Sequence, residues 1–271
     1  MSSAPKPPPA TPRLAATVLL LRDGADGLEV FMVVRHHQID FAAGALVFPG
    51  GKLAPGDSEA AVHARCSGIG EVSAEQRALR VAAIREAFEE CGVLLARQRG
   101  AAALVGPQRL AALGARYRKP LETGEAGIGQ MLEAEDLELA CDALVPFAHW
   151  ITPVNMPKRF DTHFYLAAAP ADHLAVHDGT EHVDSVWLRP ADAIAEGEAG
   201  TRTIIPPTRL NLQVLAQSRS VAQALTAARQ RPIVTVLPVP FRGPEGVRMR
   251  IPAEAGYGIT EFVPEAAASK L

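Results

Sequence analysis

Two apolar runs with strand character, Leu14 to Leu21 and Leu28 to Arg35, flank Asp23-Gly24-Ala25-Asp26-Gly27, which is hairpin-turn chemistry. A third run, Ala45 to Phe48, stops at Pro49-Gly50-Gly51, and the stretch Lys52 to Val72 is punctuated by Pro, Gly and Ser. Ser73 to Gln76 reads as a capping box. The helix it opens runs to about Cys91, with Gly92 suited to the position just past its end. Leu104 to Ala115 and Gly127 to Leu132 are helical pieces, and Phe147 to Ile151, Arg159 to Ala168 and Val183 to Leu188 are strands. Pro190-Ala191-Asp192 starts another helix. Thr208, after Pro206-Pro207, caps one through about Ala216, and Ser220 to Gln230 is a further one. Ile233 to Val239 is a late strand. No internal repeat is visible, and the mixed order predicts an α/β (α+β) sandwich, a mixed sheet covered by helices.

The chain has 271 residues, 48% of them hydrophobic, enough for a sizeable core in a single domain over 13–264. A net charge of −3 gives no reason to expect a nucleic-acid or anionic-membrane surface. Leu14 to Leu21 is too short to span a bilayer. Residues 1–12, rich in Ser, Ala and Pro, form a disordered tail, and residues 265–271 a mobile one. Cys66, Cys91 and Cys141 have no CxxC spacing and suit a reducing compartment. A cytoplasmic location follows, with a peroxisomal alternative from the terminal Ser269-Lys270-Leu271 if the host is eukaryotic. A homodimer is among the assemblies left open.

The chemistry concentrates in Arg85-Glu86-Ala87-Phe88-Glu89-Glu90-Cys91-Gly92-Val93. On a helix Glu86, Glu89 and Glu90 fall within an arc of roughly 100°, while Ile84, Ala87, Phe88 and Cys91 face the other way, toward a core. Three carboxylates on one stripe repel each other, and a divalent cation reverses that penalty; hard oxygen ligands suit Mg²⁺ or Mn²⁺. The bland reading is a solvated acidic face. The preceding Phe48-Pro49-Gly50-Gly51-Lys52 adds a tight turn able to present a backbone carbonyl to a metal.

Together these residues resemble the Nudix box. Gly51 matches its opening glycine, and Arg85, Glu86, Ala87, Glu89, Glu90, Gly92 and Val93 match its closing half. Asp57 stands where the pattern has its first glutamate, and the spacer from Ser58 to Ile84 is twenty residues longer than the pattern's seven. Loops absorb such length at roughly 0.6 kcal/mol per doubling, so the helix need not be disturbed. Residues Ser58 to Val72 are expected to be exposed and partly mobile. The insertion is similar to that of the Nudix branch containing peroxisomal coenzyme A diphosphatases and bacterial relatives. Further matching stretches are Ile151-Thr152-Pro153, Arg159 to Phe164 and Ile205 to Thr208.

The resemblance implies a fold and a reaction: a Nudix-type α/β/α sandwich that hydrolyses a diphosphate bond with Mg²⁺ or Mn²⁺. Glu86, Glu89 and Glu90, with the Gly50 carbonyl, inherit the metal, and Arg85 holds the glutamates. A further acid is expected ahead of a late strand: Glu181, with Asp184 as the alternative; Glu86 or Glu181 is the base. The substrate is a small diphosphate, coenzyme A or a thioester first. Its 3′-phosphate needs a cation, for which Arg35, Lys52 and Arg159 are candidates; Arg35, Gly44 and Phe48-Pro49-Gly50-Gly51 keep the spacing of a coenzyme A-associated Nudix signature, which has an arginine where this chain has Asp40. Other Nudix substrates (a dinucleotide, a nucleotide sugar, ADP-ribose) and a non-catalytic metabolite sensor are the competing readings.

Outside the box the plain assignments are favoured. Arg159 and Asp161 read as a structural ion pair rather than substrate contacts, and His36 and His37 as solvated rather than phosphate-binding. His163, His173, His177 and His182 show no zinc spacing, Trp187 reads as core, and the cysteines as structural.

Overall fold

The opening apolar runs pair as a hairpin, β1 (Arg13–Gly24) with β2 (Gly27–Arg35), closed tightly by Ala25 and Asp26. The computed structural model describes residues 9–35, 44–170, 182–244 and 246–264. Both strands bury both faces. Ala16, Val18, Leu20, Phe31 and Val33 enter one core, and Leu19, Leu21, Val30 and Met32 enter another, as period-2 alternation requires of a strand with layers above and below. The next run splits into β3 (Leu46–Val47), paired with β2, and β4 (Gly50–Lys52), paired with β1. This split places the Gly50-Gly51 turn in the sheet, in register with Thr17 and Ala16.

After a short turn at Pro55–Ser58 come α1 (Ala60–His63), β5 (Cys66–Ser67) and α2 (Ala74–Cys91). The Ser73 side chain accepts the Gln76 N–H, as a cap should. The reciprocal half of the expected box is missing, because the Gln76 Oε1 accepts instead from Arg80. Gly92 ends the helix in the left-handed conformation, φ 68°. Then follow β6 (Ala96–Gln98), α3 (Pro107–Thr123), α4 (Ile128–Ala134), β7 (Leu137–Ala140), β8 (Val145–Ile151) and β9 (Phe160–Ala168). The chain continues through β10 (His182–Leu188), α5 (Pro190–Glu198), α6 (Pro206–Leu215), α7 (Val221–Gln230) and β11 (Thr235–Val236). It ends in β12 (Val239–Gly243), β13 (Gly246–Arg250) and β14 (Glu261–Phe262).

The main sheet is mixed, in the order β10-β2-β1-β9-β8-β11 with β3 and β4 attached. Its first core packs under α2, α3 and α4, and its second under α6 and α7. This is the expected α/β sandwich. Full burial of Ile84 and Phe88 on α2 contributes about 1.5–3 kcal/mol each. No described helix is long and apolar enough to cross a membrane.

Several expectations need correction. Thr208 is not a cap: Ile205 is the residue before α6, Pro206 and Pro207 fill its first turn, and Thr208 is buried within it. The late run Ile233 to Val239 divides at Leu237-Pro238, with β11 in the main sheet and β12 in a separate sheet with β13 and β14. The C-terminal region, expected as a helical extension, therefore carries strands as well as α5, α6 and α7. Nor is the insertion simply exposed: Val62 is fully buried in the first core, Ile69 packs against it, and β5 pairs in parallel with β7. Both expected tails fall largely outside the described residues.

Arg97 staples this insertion. Its guanidinium donates to both Asp142 carboxylate oxygens (2.6 and 2.8 Å) and to Ser67 Oγ at 3.2 Å. The hydrogen bond from Arg97 holds the Asp142 carboxyl below its ordinary range. A depressed folded-state value gives stability that is present above the unfolded value near 3.9 and lost as pH falls through the folded one. Asp142→Asn is therefore expected to remove under about 1 kcal/mol at pH 7 and nothing in strong acid, read by urea unfolding at both values.

Candidate active site

One guanidinium organises the carboxylates. Arg85 Nε and Nη2 donate to the two oxygens of Asp57, each at 2.9 Å, a bidentate pair. Nη2 also donates to the Lys52 carbonyl at 2.9 Å. Nη1 reaches Glu86 Oε1 at 2.9 Å and Glu89 Oε2 at 3.1 Å. Burial works against the charge on Arg85, but the Asp57 hydrogen bond and the fields of Glu86, Asp57 and Glu89 outweigh it and raise its pKa. The shorter Asp57 thus serves Arg85 fully, and it is wholly buried in doing so.

The other partner of the carboxylates is the glycine turn. Gly50 N–H donates to Glu90 Oε2 at 2.8 Å, and a Cβ on Gly51 would collide with the Glu86 carboxylate. A Cβ on Gly50 would meet Thr17 Cα at 2.6 Å. Gly50 is required because the β1 backbone lies against it, whereas a side chain at Gly51 would displace the Glu86 carboxylate. So Glu86 and Glu90 meet the same turn, and Glu89 is tied to Glu86 through Arg85. The Glu stripe is not a solvated face: Glu89 is 9% exposed and Glu90 4%. Burial raises the Glu89 pKa, with the nearby Asp57 and Glu122 adding to the shift against the pull of Arg85.

The remaining candidates divide. Arg35 lies opposite His182 in the β2–β10 register, so the two share a sheet face. Lys52 contributes its carbonyl, but strand alternation turns its exposed side chain away from the Gly51–Glu86 side. Arg159 is buried and donates to the Thr152 and Ala10 carbonyls at 3.0 and 2.7 Å. It forms no ion pair with Asp161, which instead meets His149. Asp184 is exposed and faces Arg202 at 3.6 Å. Trp187 packs edge-on against Phe31 at 5.2 Å, as a core residue should. Glu181, Asp40, His36, His37, His173 and His177 lie outside the described residues.

Sequence reasoning missed His182, which is 2% exposed with Nε2 3.9 Å from Glu90 Oε1. Only the β10 register places it there. It also missed Arg118, which donates to the Glu89 carbonyl from α3 at 3.0 and 3.2 Å. Beside Glu89 a cleft of about 540 Å³ opens between α2 and α3, lined by Leu110, Gly114, Arg118 and Lys119.

A family model described as the NUDT19 Nudix domain matches residues 60–215. The chain belongs to this Nudix family. Putative nudix hydrolase 7 of Caenorhabditis elegans is 27% identical over 191 residues, which are 69% of this chain and 56% of the worm protein. The acyl-coenzyme A diphosphatase NUDT19 of Xenopus laevis is 24% identical over 222 residues, 66% of this chain and 57% of the frog protein. The Nudix chain thus spans little more than half the length of these curated relatives. The crystal structure of a NUDIX hydrolase from Alicyclobacillus acidocaldarius superposes with a TM-score of 0.64 at 28% identity, covering 80% of this chain and 96% of that one.

Proposed function

We propose that the chain is a Mg²⁺- or Mn²⁺-dependent hydrolase of a diphosphate bond in a nucleoside diphosphate-linked small molecule, with coenzyme A or its thioesters as the leading substrate. The observation that carries this reading is the Arg85 hub, with three carboxylates on one guanidinium and a fourth, Glu90, on the Gly50 N–H. The excess of negative charge in a half-dry setting, together with an all-oxygen donor set, fits a hard divalent cation. Glu86, Glu89 and Glu90, with the Gly50 carbonyl, would hold it. Bound there, the ion would polarise the diphosphate and acidify the attacking water.

The chain's own groups do the rest. Arg85 fixes Glu86 and Glu89 in place, so neither has to reorganise during reaction. Water attacks one phosphorus, the bridging P–O bond breaks, and the water proton passes to a carboxylate, Glu86 or Glu181. The products are two phosphate monoesters; from coenzyme A they are 3′,5′-ADP and a phosphopantetheine. The cleft beside Glu89 is of a size typical for ligand sites, roughly 300–1,000 Å³. Its lining includes Lys119, which is paired with Glu122 at 3.1 Å and would exchange that partner for a phosphate distant from the reacting one. The name of the frog relative supports the coenzyme A choice. The three helix carboxylates and Arg85, all present, support an enzyme over a sensor.

The test is magnesium-dependent turnover of coenzyme A, an acyl-coenzyme A, a dinucleotide, a nucleotide sugar and ADP-ribose, with coenzyme A also compared with its 3′-dephospho form. Coenzyme A is expected to be cut faster than the dephospho form. The reverse order means that the 3′-phosphate is not recognised, and another diphosphate then takes its place as substrate.

A further inference from the structure

Asp161, His163 and Tyr165 alternate along β9 and so lie on one face, the side of the sheet under α2. The β8–β9 register sets His149 directly opposite His163. One ligand atom from each of His149, Asp161 and His163 lies within 4.8 Å of the others. His149 Nε2 is 2.5 Å from Asp161 Oδ1, and His163 Nε2 is 3.7 Å from the same oxygen, beyond hydrogen-bonding distance. The two imidazoles stack with centroids 4.0 Å apart. We propose that His149, Asp161 and His163 form a binding site for a first-row transition-metal dication, Zn²⁺ foremost, separate from the glutamate stripe of α2.

The donor chemistry selects the ion. Two imidazole nitrogens and one carboxylate oxygen suit zinc with an open fourth position, and they suit Mg²⁺ poorly, since it prefers oxygen alone. The side chains keep 15–25% exposure, which leaves that position reachable. His149 carries the outer partner expected of a ligating imidazole: its Nδ1 is 2.8 Å from Thr235 Oγ1 on the neighbouring β11. His163 is neutral near neutral pH, the form that ligates. Burial first, then His149 and Arg80, push its pKa down to about 4. Arg80 is a positive charge acting against a cation there. Ala16 pairs with Gly51 on one side and His163 on the other, so the cluster sits two strands, roughly 10 Å along the sheet, from the turn under Glu86. That is well beyond the ~3.5–4 Å of a bridged two-metal centre. The plainer reading is a hydrogen-bonded, stacked patch that stiffens β8 and β9. It predicts a stability role without metal.

The test uses the full chain, stripped with a chelator, held in excess Mg²⁺ and titrated with Zn²⁺ against a chromophoric competitor. Wild type is expected to retain one zinc and to unfold at a higher temperature with it. His163→Gln and Asp161→Asn should lose both effects. Thr235→Val, at an exposed position, should weaken binding roughly 10–100-fold. Glu90→Gln should keep the zinc. No zinc retained by wild type, or zinc retained by folded His163→Gln and Asp161→Asn, overturns the proposal. So does loss in Glu90→Gln, which would place the ion beside α2 and His182. If His163→Gln fails to fold, Asp161→Asn and Thr235→Val decide.

Discussion

Arg85→Met is expected to lower the unfolding free energy by about 3–5 kcal/mol, the largest effect of any single substitution proposed for this chain. The cost does not come from losing attraction alone. Asp57 is fully buried; both of its oxygens accept from the Arg85 guanidinium, and Oδ2 also accepts the Ala54 N–H at 2.8 Å, a neutral donor that cannot balance the charge. Without the guanidinium, Asp57 either stays charged in a dry place or takes up a proton, and both are costly. The Lys52 carbonyl and Glu89 lose partners as well. Arg85→Lys should recover little, since an ammonium cannot span Asp57 bidentately and reach Glu86 and Glu89 at once. The double variant Arg85→Met with Asp57→Leu should recover part of the loss, because it removes the stranded charge. Urea unfolding of the four proteins measures this. A loss below about 1 kcal/mol for Arg85→Met would show that water screens the network as it does on a surface.

Much of α2 could be read directly from its residues. Ser73 and Gly92 mark its ends because capping chemistry is local, and the Glu stripe follows from helical geometry. What was not legible is that the stripe is buried. That depends on β4 and α3 closing over it, and the only local hint is Arg85 among the glutamates. Gln76 shows the same limit: its pairing with Ser73 is allowed by sequence, but Arg80 competes for its oxygen. Strands β5, β11 and β14 have two residues each, too few to show a period. Val62 gives the insertion its anchor, yet one apolar residue in a Pro-Gly-Ser stretch carries no pattern. His182 and the His149–Asp161–His163 cluster are products of register, which pairs residues far apart in sequence.

Glu89→Gln and Glu90→Gln are expected to retain the fold and to lose turnover roughly a hundredfold or more, since even the outer partners of metal ligands typically matter 10–100-fold. The stability effect should have the opposite sign. Burial already raises the Glu89 pKa, so its ionised form is a cost that the folded state bears. A raised folded-state value gives stability that is present below the unfolded value near 4.3 and lost as pH rises through the folded one. Glutamine removes that loss, and Arg85 still holds Asp57 and Glu86. In metal-free buffer at neutral pH, Glu89→Gln should therefore unfold at the same or a higher denaturant concentration than wild type. Glu90→Gln can still accept the Gly50 N–H through its amide oxygen, so the turn is kept. Magnesium should reverse the order: at a hundred times its dissociation constant it stabilises wild type by about 2.7 kcal/mol and the variants by much less. Denaturant midpoints with and without Mg²⁺, read beside turnover, test both halves. Wild-type turnover in either variant would remove the metal from these glutamates. A drop in metal-free stability would instead mean that the Arg85 attraction outweighs the burial of Glu89.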